Sequence, residues 1–117
     1  MDLQEVMQQK VFVVVGNTIN KEKYAYKIKN ALIDHGYTTY CVDKELKSIN
    51  DVDDEIDIID LCVHPVKGLK FIKENKKAFK MIVIQPNADS KELLAYLDDN
   101  NLPYIFGCLL VGLSLYS

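Results

Sequence analysis

Apolar and polar positions alternate along the chain in blocks that change period. Val11–Val15 is an unbroken apolar run rich in valine, the mark of a strand buried on both faces. A polar loop, "GNTINKE", leads from it into a segment where Ala25, Ile28, Ala31 and Leu32 recur at helical spacing. The helix is expected to begin near Glu22, and Gly36 stops it as a left-handed cap. Thr38–Val42 reads as a second strand, and the charged stretch "DKELKSINDVDDE" as a short connecting turn or helix. Ile56–Val63 is a third strand. Pro65 opens a helix to about Lys76 with Val66, Leu69 and Ile72 on its inner face. Met81–Gln85 is a fourth strand. Asp89 and Glu92 stand at capping-box spacing before a helix carrying Leu93, Leu94 and Leu97. Tyr104–Phe106, after the break at "NNLP", is a short fifth strand.

Strands alternating with helices imply crossover connections and a parallel sheet covered on both faces. The expected architecture is a three-layer, Rossmann-like α/β domain with a five-stranded parallel sheet in the order 3-2-1-4-5, and one domain over residues 1–117. Ligands on such sheets bind beyond the carboxyl ends of the strands, where the strand order reverses. Gly16, Asp43, His64, Pro65, Gln85 and Gly107 fall at those ends.

Composition narrows what such an edge can hold. The 117 residues carry a net charge of −3, which argues against a nucleic-acid footprint. All 14 basic residues are lysines, so an anion site here works through backbone N–H groups and lysine point charges. The three cysteines, Cys41, Cys62 and Cys108, form no CxxC pair and read as reduced thiols. The polar N-terminus is no secretory signal, and "CLLVGLSLY" is too short to span a bilayer. A cytoplasmic protein with no membrane or nucleic-acid partner is expected.

The first turn is the main chemical candidate. Gly16 is expected to let the backbone approach a ligand, with Asn17, Thr18 and Asn20 adding short polar groups and Lys21 and Lys23 adding charge. That is the making of a diphosphate cradle; equally, Gly16 ends a strand and the lysines are solvated. Asp43, some 27 residues further on, stands where a dinucleotide-binding protein places its ribose carboxylate, so an NAD-type nucleotide is the alternative ligand. The third strand and its proline mimic a phosphoreceiver, but Gly16-Asn17 replaces the acidic pair such a domain needs. Asp57 and Asp60 then read as a strand-edge carboxylate and a buried capping group. His64 suits a polar loop contact, and His35 a cation at a helix C-terminus. No nucleophile elbow, metal cluster or paired strand-end carboxylates are present, so no catalysis is expected.

The chain also resembles the small CoA-binding domain family, related to the CoA-binding domain of the succinyl-CoA synthetase α subunit. Gly16-Asn17-Thr18 takes its G-x-S place, Lys23 its arginine place, Ala25-Tyr26 its S-Y place, and Leu32 to Tyr37 its L-x-x-x-G-Y place. "DIIDLCVHP", "IVIQPNA" and "GCLL" are similar to later motifs of the family in the same order. Asp43-Lys44 departs from the family's N-P pair, and Asn87 from its glycine. The resemblance implies CoA or an acyl-CoA as ligand. Its pyrophosphate would lie over Gly16 to Asn20 near Lys23 and Tyr26, and its phosphoribose by Asp43 and Lys44. Adenine would lie against Val63, His64 and Pro65, and pantetheine would run past Gln85, Pro86 and Asn87 towards Cys108. Cys108 is expected as a small buried residue, with a mixed disulfide to CoA as the sharper alternative. A ligand-free interaction module is the rival reading, its apolar segment Leu109–Leu115 serving as a homodimer or partner surface.

Overall fold

The computed structural model describes Met1–Ser117. Five parallel strands, β1 (Val11–Gly16), β2 (Thr38–Asp43), β3 (Ile58–Cys62), β4 (Met81–Ile84) and β5 (Tyr104–Phe106), form one sheet. Helices α1 (Leu3–Val6), α2 (Tyr24–Asp34) and α5 (Leu109–Tyr116) cover one face. Helices α3 (Pro65–Glu74) and α4 (Lys91–Asp99), with a 3-10 turn at Ile49–Asp51, cover the other. The three-layer Rossmann-like class is therefore as the pattern predicts.

The strand order is 2-1-3-4-5, not 3-2-1-4-5. Burial explains the difference. β3 is buried on both faces through Ile58–Leu61, Asp60 included, as befits an inner strand, and lies between β1 and β4. β2 opens on Thr38 and Thr39, keeps only Cys41 and Val42 buried, and suits an edge. The reversal of direction consequently comes after β2. Crossovers of one hand then carry α2 over one face and every later connection over the other, and Ile49 and Val52 of the β2–β3 connection pack with α3 and α4. The Lys77 ammonium fastens that connection by donating to the carbonyls of Val52 and Asp54.

Several boundaries differ locally. α1 was not anticipated; Asp2 and Glu5 close a capping box around its four residues, with Glu5 N–H donating to Asp2 at 2.9 Å. α4 is capped by Ser90, which accepts from the Leu93 N–H at 3.1 Å, and not by Asp89. α2 starts at Tyr24 with Lys23 as N-cap, two residues later than expected. The C-terminal apolar segment is a helix whose Leu109, Gly112 and Leu113 face the core, leaving Val111 and Leu115 exposed. Gly36 has φ +87°, the left-handed cap expected of it. Asp57 sits at the amino edge of the sheet, accepting from the Lys10 and Val11 N–H groups and pairing with Lys80 at 3.1 Å.

Candidate functional site at the carboxyl edge

The order reverses between β1 and β3, and there the two strands part above Gly16. Register sets Asp43 on one side of Gly16 and Cys62 on the other. Over this point opens a cavity of about 490 Å³, within the size range of small-molecule sites. Of the residues singled out above, Asn17, Lys23, Asp43, Lys44, Val63, His64, Pro86 and Asn87 line it.

Others lie elsewhere. Gly16 is buried beneath the cavity, and a Cβ on it would stand 2.3 Å from the Cys62 carbonyl oxygen and 2.8 Å from Ala25 Cβ. Its lack of a side chain thus lets β1 pack closely against β3 and α2. Thr18 is 1% exposed and donates to Glu45 Oε2 at 2.5 Å, an atom that also accepts from Lys29 at 2.9 Å. Burial raises the Glu45 pKa, but the Thr18 and Lys29 hydrogen bonds more than offset it, and the net shift is downward. Thr18 thus ties the first loop, through Glu45 in the turn after β2, to Lys29 of α2. Pro65 is the first residue of α3, held in the helix rather than in the cavity wall. Tyr26 does not reach the cavity either; Tyr24, two residues earlier, does. The delayed start of α2 turns the other tyrosine to the mouth.

The first loop spends part of its hydrogen-bonding capacity on itself. Asn17 Oδ1 accepts from the N–H groups of Ile19 and Asn20 at 3.2 and 3.1 Å, and Asn20 Oδ1 from that of Glu22 at 3.0 Å. N–H groups without a protein partner remain at Asn17, Thr18 and Lys21 in the loop and at Tyr24, Ala25 and Tyr26 in the first turn of α2, where Lys23 makes no side-chain cap. Tyr24 and Ala25 line the cavity, so the positive end of α2 opens onto it.

Three lysines ring the mouth. Lys67 on α3, which the sequence pattern did not single out, joins Lys23 and Lys44. It also pairs with Asp43 at 3.4 Å, so the one carboxylate there is engaged. Asp43 has φ +118° and Asn87 φ +71°. The value at Asn87 is a left-handed conformation that glycine adopts freely and asparagine tolerates, so this departure keeps the backbone path. Asp43 is held by its N–H donating to the Leu46 carbonyl at 2.7 Å. His64 caps α3, its Nδ1 accepting from the Val66 N–H at 3.3 Å, which leaves Nε2 to carry the ring proton.

Gln85 and Cys108 line a second, smaller cavity that shares Tyr24, Cys62, Pro86 and Asn87 with the first. Gln85 closes the sheet side, its Nε2 donating to Asp60 Oδ1 at 2.5 Å. Cys108 lies just past β5, as the N-cap of α5. The expected site residues thus divide into cavity walls and the framework beneath them.

The comparisons agree with this picture. A conserved hypothetical protein from Pyrococcus furiosus is 26% identical, with 88% of this chain and 98% of that one aligned at a TM-score of 0.77. A hypothetical protein from Pyrococcus horikoshii shares the fold at 23% identity and TM-score 0.85, over 98% and 89% of the two chains. A Thermus thermophilus protein shares it over the whole of both chains at 19% identity and TM-score 0.80. No curated protein matches. The family model described as a CoA binding domain matches residues 10–114, and the chain belongs to that family.

Proposed function

We propose that this protein binds CoA, free or acylated, in the cavity at the β1/β3 reversal and performs no chemistry on it. The observation that carries the reading is the convergence of three lysines and the uncapped start of α2 on one opening. A diphosphate there meets the N–H groups of Tyr24 and Ala25 together with Lys23, beside the Asn17 side of the first loop. Lys44 and Lys67 suit a further phosphate on the ribose, and Val63 with His64 offers a partly apolar wall for a base. The pantetheine arm would pass Pro86 and Asn87 into the smaller cavity. Asp43 counts against NAD, because the carboxylate that would hold a ribose hydroxyl is paired with Lys67.

Titration calorimetry with CoA, acetyl-CoA, dephospho-CoA and NAD tests this. CoA is expected to bind more tightly than dephospho-CoA and NAD, with acetyl-CoA recovered intact after long incubation. Lys23→Ala and Lys67→Ala are each expected to weaken CoA binding by about 1–2 kcal/mol, the scale of one charge-assisted contact. Binding of NAD with no response to CoA would overturn the reading, and unchanged affinity in both variants would remove the lysines from the site.

A further inference from the structure

The sheet ends at β2 on one side and at β5 on the other, and the chain treats these two edges differently. β2 covers its own. The outward Cys41 carbonyl accepts from the Leu46 N–H at 3.0 Å, and the outward Asp43 N–H donates to the Leu46 carbonyl at 2.7 Å. β5 has no such cover. On its inner side the Pro103 carbonyl accepts from the Ile82 N–H at 3.0 Å, and the Gly107 N–H donates to the Ile84 carbonyl at 3.1 Å. The alternation of a strand then turns the N–H and C=O groups of Tyr104 and Phe106 outward. None of these four groups meets a partner elsewhere in the chain; the one side-chain bond of the two residues runs from the Tyr104 hydroxyl to Asp98 at 2.8 Å.

Bare edges are ordinarily blunted by a lysine, a proline, a bulge or a covering loop. Here the side chains do the reverse. Phe106 is 59% exposed, and its ring meets that of Tyr104 on the same face of the strand, with centroids 6.0 Å apart. From Asn100 to Ser117 no side chain is charged, although the chain holds 14 lysines and 17 acidic residues. A partner recognised by its charge finds nothing to read on this edge. A second copy, which carries the same net charge of −3, meets no like charge there.

We propose that β5 is the contact of a two-fold dimer, in which the β5 strands of two copies pair antiparallel and join the two sheets into one. The outward groups fix the register. With the axis beside Ile105, Tyr104 of each copy lies opposite Phe106 of the other, and each of these pairs exchanges both of its backbone hydrogen bonds. The aromatic rings then stand in cross-strand pairs, and the two Ile105 side chains meet on the other face of the sheet. A slipped register leaves outward groups unpaired. Strands of three residues make a contact well under the ~1,200 Å² of a stable complex, so the dimer forms only as concentration rises. Phe106 lines neither cavity, so changing it leaves the walls of the candidate site intact.

Sedimentation velocity over a concentration series from micromolar to millimolar tests this. The parent is expected to rise from its monomer mass of 13.4 kDa towards twice that value and no further. Phe106→Lys and Phe106→Pro are expected to stay at the monomer mass throughout. Both keep the bonds of β5 to β4, because the Phe106 N–H bonds nothing within the chain, and melting curves of dilute samples check that the fold survives. Amide hydrogen exchange of the parent needs no variant. The Tyr104 and Phe106 N–H groups are expected to exchange about tenfold or more slowly in concentrated than in dilute samples, while the Gly107 N–H, held by β4, changes little. Monomer mass at every concentration, growth past the dimer, or exchange at Tyr104 and Phe106 that ignores concentration would overturn the proposal. So would a dimer that survives both Phe106 variants; its loss in Leu115→Lys would move the contact to the exposed apolar side of α5.

Discussion

Asp60 is fully buried in the middle of β3; its Oδ1 accepts from Gln85 and its Oδ2 has no partner. Burial pushes its carboxyl up to about 7, against the opposing hydrogen bond from Gln85. In the unfolded chain the group ionises near 3.8, so between about pH 4 and pH 7 the folded state holds a proton that the unfolded state has lost. Its contribution is then full below about pH 4, falls as pH rises through that window, and is flat above it. Asp60→Asn is expected to raise the melting temperature at pH 8 and to flatten the difference curve between pH 4 and 7. A parent and variant with parallel curves would show that Asp60 does not titrate there. Gln85 joins this buried group to the wall of the smaller cavity, so one side chain serves both packing and site.

At the scale of elements, the end of β1 fixes where α2 and β3 stand. A methyl group on Gly16 would meet the rigid carbonyl of Cys62 before anything that can yield. Gly16→Ala is expected to destabilise the fold by about 1–3 kcal/mol, as overpacking does, and to lower the melting temperature with or without CoA. A variant as stable as the parent would mean that β1 and β3 can part there. Elements with a local cause were legible in the sequence: the valine run of β1, proline at the first turn of α3, and glycine in the left-handed cap after α2. What was not legible depends on partners distant in the chain. Strand order turns on which strand can bear an exposed face, and the polar opening of β2 was its one local sign. Tyr24 rather than Tyr26 reaches the cavity because Asn20 holds Glu22 and Lys23 outside the helix, a choice made by the loop's own hydrogen bonds. Lys67 was invisible because nothing in α3 distinguishes it from the other lysines until the helix is placed beside Asp43.

Over the whole molecule, no helix is long and apolar enough to cross a membrane. The exposed Val111 and Leu115 on α5 leave a small apolar surface at one side, distant in kind from the charged mouth. The net charge of −3 conceals an uneven distribution. The mouth at the carboxyl edge carries three lysines to one carboxylate. The depression at the amino edge, before β3, is lined by four carboxylates, Asp53, Asp54, Glu55 and Asp57, to two lysines. The fold has sorted its charges along the strand axis, and the start of α2 adds to the positive end. Such a molecule has a dipole moment that turns in the field of an approaching polyanion, so that productive collisions outnumber chance ones. Stopped-flow binding of CoA is expected to show an association rate that falls steeply as salt rises while dissociation changes little, with Lys44→Glu slowing association further. An association rate indifferent to salt would mean the sorted charges are too weakly expressed to orient anything. On this account the acidic run before β3, some distance from any ligand, takes part in recognition before contact: it repels the anion from the wrong end.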